Sequence, residues 1–262
     1  ANFLSQRGLP AQGLTTNGMI INDIVIAGND DLSTLHTAST LFVDLFGKGF
    51  GTRVVILGGF GRLTMPLIER AVKAGYVIQL PNLEQISRYN FIEFQKRVIQ
   101  AKGIKNFVKK VEISEAQIIQ QIVEQMMKKD GVAEEIVKGF LDTVILEKRA
   151  DNTSENYQNY QELLVREGRL NATSDPAQVW NVINISHPLQ QLRTQATFQK
   201  VFASYIEQGK IHGFSLAQQY SVNGLDRSMK ERLTGEIFRT IIYSQQADIV
   251  VVENAQAALA AI

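Results

Sequence analysis

Three features of this sequence predict an α/β fold built on a mostly parallel sheet. Short, continuously apolar, β-branched runs recur along the chain. Each is followed by glycine or polar residues, and the stretches between them carry apolar residues at every third or fourth position. Continuous apolarity over so few residues suits strands buried on both faces, as parallel strands are. The intervening helical periodicity supplies the crossovers that parallel strands require.

The first strand is Asp23-Ile24-Val25-Ile26-Ala27, ended by Gly28-Asn29-Asp30-Asp31. A helix starting at Ser33 or Thr34, both good N-caps, follows with Leu35, Ala38, Leu41, Phe42 and Leu45 on one face, and Gly47-Lys48-Gly49 ends it. The second strand, Arg53-Val54-Val55-Ile56-Leu57, breaks at Gly58-Gly59-Phe60-Gly61-Arg62. Thr64 then caps a helix with Pro66 near its first turn and Leu67, Ile68 and Ala71 turned inward. This βαβ unit should cross over right-handed. Residues 76–110, with Tyr89, Phe91, Phe94, Lys96, Arg97, Phe107, Lys109 and Lys110, read as short helices at one edge of the sheet. From Ser114 a long helix carries Ala116, Ile118, Ile119, Ile122, Val123 and Met126 as its stripe. A third strand, Thr143-Val144-Ile145-Leu146, leads to Glu147, and a helix runs from Glu155 to Arg166. The fourth strand, Val179–Ile185, ends at Ser186-His187-Pro188, and a helix through Leu192, Ala196, Phe198, Val201 and Phe202 follows. The tail reads as a loop-rich stretch over 207–224, a helix over 226–243 and the apolar run Ile249–Val252. Repeated βα units with this order predict a single Rossmann-like domain over 1–262, helices on both faces, with added helical segments near 76–130 and 205–245.

The totals narrow the function. The net charge is +1, so no whole-molecule field draws in nucleic acid or an anionic membrane, although a local basic pocket stays open. Cysteine is absent, which removes disulfides and thiolate chemistry, and the three histidines (His36, His187 and His212) do not share a metal-ligand spacing. No metal site, no membrane span and no signal peptide are read from the sequence, and a cytoplasmic protein is the expectation. The oligomeric state is left open.

Polar residues fall at the carboxyl ends of the strands, where open α/β sheets bind ligands. Gly28-Asn29 follows the first strand, Gly58-Gly59-Phe60-Gly61-Arg62 the second, Glu147 the third and Ser186-His187 the fourth. The glycines would let backbone N–H groups approach an anion with the next helix's N-terminus behind them, and Arg62 would add a bidentate clamp. The alternative is a tight strand-to-helix turn. Glu115 in a first helical turn is either a carboxylate favoured by the macrodipole or a site residue. Glu147 is either catalytic or paired with Arg149 or a neighbour. His187 is either an acid–base group or a buried histidine bonded to a backbone carbonyl.

Several ordered motifs resemble the YdcF-like proteins of the YdcF/SanA/ElyC family. They are Ile24–Asn29, Gly58–Arg62, Ser114-Glu115-Ala116, Glu147 with Asn152-Thr153-Ser154-Glu155-Asn156, His187-Pro188 with Arg193–Phe198, and Leu233-Thr234-Gly235-Glu236. The resemblance spans nearly the whole chain and is weakest over 76–110 and 167–178. It implies a Rossmann-like domain with added helices, and brings Gly28, Asn29, Gly59, Arg62, Glu115, Asn156 and Arg193 into the candidate site. Many relatives carry another residue where His187 stands, and the family is largely without an assigned reaction.

Three functions compete. One is a binding protein or enzyme for a small anionic molecule, a nucleotide or adenosyl compound, with S-adenosylmethionine a specific candidate cofactor. There Gly28, Asn29, Gly58, Gly59, Gly61, Arg62, Asn156 and Arg193 would bind, and Glu115 or Glu147 would bond a ribose or meet a sulfonium. A hydrolase or transferase for a phosphorylated or sugar-linked substrate is the second, with Glu115, Glu147 and His187 sharing acid–base work. The third is a non-catalytic interaction module, which an exposed apolar helix face would favour.

Overall fold

The computed structural model describes residues 20–28, 31–59, 64–81, 85–103, 106–107, 113–171, 179–187 and 190–216. The strands are β1 (Asp23–Ala27), β2 (Arg53–Leu57), β3 (Ile78–Gln79), β4 (Gln85–Ile86), β5 (Ile145–Glu147), β6 (Trp180–Ile185) and β7 (Ile211–Leu216). The helices are α1 (Leu32–Gly47), α2 (Thr64–Lys73), α3 (Phe91–Gln100), α4 (Glu115–Lys129), α5 (Glu134–Thr143), α6 (Thr153–Arg166), α7 (Gln191–Val201) and α8 (Ala203–Glu207).

Five strands form one sheet in the order β5-β2-β1-β6-β7, with the pairs β2–β5 and β6–β7 parallel. The fold is therefore Rossmann-like α/β, a parallel sheet flanked by helices. The chain builds outward from β1 through β2 to β5, then returns to the other flank of β1 for β6 and β7. In such sheets ligands are held at the carboxyl ends of the parallel strands. The chain divides into two compact units, Ile24–Asn156 and the pair of segments Ala1–Asp23 with Tyr157–Ile262.

In the Ile24–Asn156 unit, β1 and β2 are buried along nearly their whole length, as their unbroken apolarity requires. Helix α1 begins two or three residues earlier than the Ser33 or Thr34 caps imply: Asp31 is the N-cap, accepting from Ser33 N and from the Ser33 and Thr34 hydroxyls. Leu35, Ala38, Leu41, Phe42 and Leu45 are buried, and Phe42 meets Phe140 of α5 edge-on. Helix α4 opens with a capping box between Ser114 and Gln117 and buries Ala116, Ile118, Ile119, Ile122, Val123 and Met126.

Two expectations fail in this unit. Residues 76–110 are not helical throughout, because β3 and β4 pair antiparallel there. The cause lies on α4. Gln125 both donates to and accepts from the backbone of Val77, and Gln121 does the same for Gln79, so two side-chain amides four residues apart act as a substitute strand edge. The third strand also starts later than Thr143. That residue ends α5, and its hydroxyl donates to Gly139 O of the preceding turn.

In the second unit, β6 and β7 pair over six residues, Trp180–Ile185 against Ile211–Leu216. Residues 211–216 are therefore a strand where a loop-rich stretch was expected. Gly213 explains the fit, since a Cβ there would stand 2.1 Å from the buried Phe198 ring of α7. Phe198 stacks on Phe202 and meets Tyr157 edge-on. Asp23, at the start of β1 and fully buried, accepts from Tyr160 Oη at 2.6 Å and Trp180 Nε1 at 2.9 Å. The helix expected over 226–243 and the run Ile249–Val252 lie outside the described residues.

Candidate functional site

The turn after β2 fixes the centre of the site. Glu115 N donates to Gly59 O at 2.7 Å and Ala116 N to Gly58 O at 2.9 Å. Gln117 N is taken by the Ser114 hydroxyl. The first N–H groups of α4, which a helix leaves without partners of its own, are thus satisfied by the β2 turn and the cap. The Glu115 side chain is not held by these groups. It is 4% exposed, and its Oε2 accepts from the Thr64 hydroxyl of α2 at 2.8 Å. A Cβ on Gly28 would lie 2.7 Å from Glu115 Oε1, and one on Gly58 would lie 3.3 Å from Glu115 Cβ. The carboxylate therefore lies across the carboxyl ends of β1 and β2, in space that two glycines leave open. Glu115 thus lies at the strand ends while remaining in the first turn of α4, where the macrodipole also favours a carboxylate.

The same geometry corrects the anion-cradle reading of Gly58 and Gly59. Gly58 N donates to Glu147 O and Gly59 N to Ala150 O, each at 3.1 Å, so neither N–H is held out for an anion. A Cβ on Gly59 would be 2.4 Å from Ala150 O and 2.9 Å from Lys148 O. These glycines admit backbone and a carboxylate where any side chain would collide.

Glu147 closes its own loop. Its Oε1 accepts from Arg149 N at 2.8 Å and its Oε2 from Ala150 N at 3.2 Å, with Arg149 Nε 3.8 Å from Oε1. A carboxylate that holds two backbone N–H groups shapes the loop after β5, and of the two sequence readings the structure favours pairing over acid–base work.

The Asn152–Asn156 motif separates into two tasks. Asn152 Oδ1 accepts from Glu155 N, while the Glu155 carboxylate accepts from Asp151 N and Asn152 Nδ2, which caps α6 at both ends of the exchange. Asn156 is left over. It is 6% exposed, and its Oδ1 is the buried side-chain oxygen without a hydrogen-bond partner among the described residues. Native structures rarely leave such an atom unsatisfied, so it needs a reason.

In the second unit, the end of β6 and the start of α7 form a buried polar cluster of Ser186, His187, Gln190, Gln191, Thr194 and Thr197. The Ser186 hydroxyl donates to Gln191 Oε1 at 2.8 Å, and Gln190 N to His187 O at 2.8 Å. His187 is buried at the strand end, as its position predicts. Burial pushes the Tyr157 phenol well above its ordinary value of 10.0, and the positive charge of the half-buried Arg193 pulls it partly back. Tyr157 donates to Asn184 Oδ1 at 3.0 Å.

Asn29, Gly61 and Arg62 lie outside the described residues. Sequence reasoning missed the roles of Thr64, Gln191 and Tyr157. Only Thr64 carried a signal, as the first hydroxyl after a glycine turn, and it was read as a cap. Among the described residues no group of three or more His, Asp or Glu side chains is placed to hold a metal ion, and no helix is long and apolar enough to cross a membrane. A separate cleft between β4 and α3, lined by Leu80, Ile86, Glu93, Phe94, Arg97 and Phe107, has about 30 Å³ of room. That admits water and no nucleotide. No protein-family model and no curated protein matches the chain.

Proposed function

We propose that the Ile24–Asn156 unit binds a small molecule at the carboxyl ends of β1 and β2, and that the ligand is a nucleotide or adenosyl compound met first through its hydrogen-bond donors. The buried, unpartnered Oδ1 of Asn156 carries this reading. Leaving such an acceptor in place costs about 1–3 kcal/mol, a cost that a ligand donor would offset on binding. Glu115 adds a second buried acceptor beside Gly28. Ribose hydroxyls, an amino group or a sulfonium suit buried acceptors, with Glu115 keeping its bond from the Thr64 hydroxyl through Oε2. A bare phosphate does not, because the Gly58 and Gly59 N–H groups are engaged within the fold. In this reading S-adenosylmethionine is the first ligand to try, and any phosphate or carboxylate of the ligand falls to Arg62. The chain then belongs with the YdcF-like proteins its motifs resemble, and no reaction is assigned to it.

A thermal-shift series tests this, using S-adenosylmethionine, S-adenosylhomocysteine, ADP, sugar phosphates and inorganic phosphate. A ligand that binds only the native state raises the melting temperature as its concentration passes Kd. Adenosine-containing ligands are expected to raise it in the native protein and to lose that effect in Glu115→Gln and Asn156→Ala. If inorganic phosphate alone reproduces the full shift, recognition through acceptors is wrong.

A further inference from the structure

Helix α3 is held to the Ile24–Asn156 unit by one face only. Phe91, Phe94 and Val98 are buried, with Phe94 edge-on to Phe107 at 5.3 Å. The other face carries Ile92 and Ile99, two turns apart in register, at 71% and 75% exposure, with Tyr89 just before the helix at 83%. Lys96 lies between the two isoleucines along the helix axis, on the flank of their stripe, and Arg88, Lys96, Arg97 and Lys102 are all exposed. The only acidic residue among them is Glu93, 3.4 Å from Lys96. Over residues 88–110 the sequence holds seven basic residues and one acidic, against +1 for the whole chain. The small total therefore conceals a concentrated positive region elsewhere balanced by acid.

The end of α3 supplies an independent observation. Helices α1, α2, α4, α6 and α8 each close with the same paired hydrogen bonds around one left-handed residue, and in all five that residue is glycine (Gly49, Gly75, Gly131, Gly168 and Gly209). Helix α3 closes in the same way, Lys102 N to Ile99 O and Gly103 N to Val98 O, yet the left-handed residue is Lys102, at φ 60°. A lysine is strained where glycine is not. Among the described residues, the chain keeps a positive charge at the one closure of this paired kind whose left-handed residue is not glycine.

We infer that the exposed face of α3 docks on an anionic lipid surface, lying on it with Ile92, Ile99 and Tyr89 toward the acyl boundary and Arg88, Lys96, Arg97 and Lys102 at the headgroups. Apolar side chains ringed by basic ones fit this partner's chemistry. A nucleic acid would leave the isoleucines without a role. A second copy of the chain would bring like charges together across a two-fold axis.

Vesicle co-sedimentation of the full chain decides the matter, with phosphatidylcholine vesicles made with and without phosphatidylglycerol. Binding is expected only with the anionic lipid and should weaken as salt is raised. Ile92→Ser with Ile99→Ser should reduce partitioning about tenfold or more, and Lys96→Gln about fivefold. These positions are exposed, so the variants should melt with the native protein. Lys102→Gly should melt higher yet bind more weakly, which separates charge from folding. The proposal is overturned if the chain stays with the supernatant. It is also overturned if charge variants lose binding while the isoleucine variant does not, or if the isoleucine variant instead dissociates a dimer in gel filtration.

Discussion

Replacing Asn156 by alanine should make the ligand-free protein more stable and the ligand-binding protein blind. The native side chain buries an oxygen with no hydrogen-bond partner, 6% exposed as a residue, in the first turns of α6. Removing that oxygen returns about 1–3 kcal/mol. Alanine's better helix propensity adds up to ~0.7 kcal/mol. Against these stands about 1 kcal/mol for the packing that a small side chain gives up. The net is a gain of about 1 kcal/mol, or roughly 2–4 °C in melting temperature for a protein of this size. Calorimetry without ligand measures the gain, and calorimetry with S-adenosylmethionine or ADP measures the lost shift. A variant that melts several degrees below the native protein without ligand would show that the amide oxygen is satisfied within the fold, and the argument for a ligand donor at that atom would fall with it.

Gly59→Ala should cost about 3 kcal/mol in urea unfolding, because its Cβ meets two backbone carbonyls that cannot rotate away. Gly28→Ala meets only the end of the Glu115 side chain, so it should cost less than ~1.5 kcal/mol yet abolish the ligand-induced shift by displacing that carboxylate. Asp23→Leu strands both the Tyr160 hydroxyl and the Trp180 indole N–H, and chemical denaturation should show a loss of about 3 kcal/mol or more; Asp23→Asn, which keeps one acceptor, should lose less. Burial raises the folded-state Tyr157 phenol above its ordinary value of 10.0, so the folded state holds that proton more tightly than the unfolded one. Its contribution is complete below pH 10 and is lost as pH climbs further, at about 1.4 kcal/mol per pH unit, and Tyr157→Phe should flatten that alkaline limb.

The sheet was legible because its strands are apolar without interruption. Ile24–Ala27 and Val54–Leu57 admit no other reading between glycine-rich turns, and both are strands. Strand β3 was not legible, since nothing in Ile78–Gln79 says that Gln121 and Gln125 stand opposite it. That ladder is written in a helix more than forty positions away. Strand β7 was hidden for a related reason. Ile211-His212-Gly213-Phe214-Ser215 resembles a polar loop until Phe198 is placed over Gly213. The sequence singled out Glu115, Glu147, Asn156 and His187 as candidates but could not divide their labour. Adjacent motifs gave no sign that Glu147 would serve its own loop, that Glu155 would cap α6 and that Asn156 would be left with an unspent acceptor.

The first two N–H groups of α4, those of Glu115 and Ala116, donate to carbonyls of the β2 turn rather than to a neighbour in the chain. A peptide containing Glu115–Lys129 alone would fray at that end, and the strained approach at Gly59 has no reason to form without it. Each half waits on the other. Closing the intervening loop is slow and entropically uphill, so these contacts should form late in folding, after the local helices. The carboxylate that marks the site would then appear only in the final step, and a nascent or partly unfolded chain would carry the residue without the geometry that gives it a use.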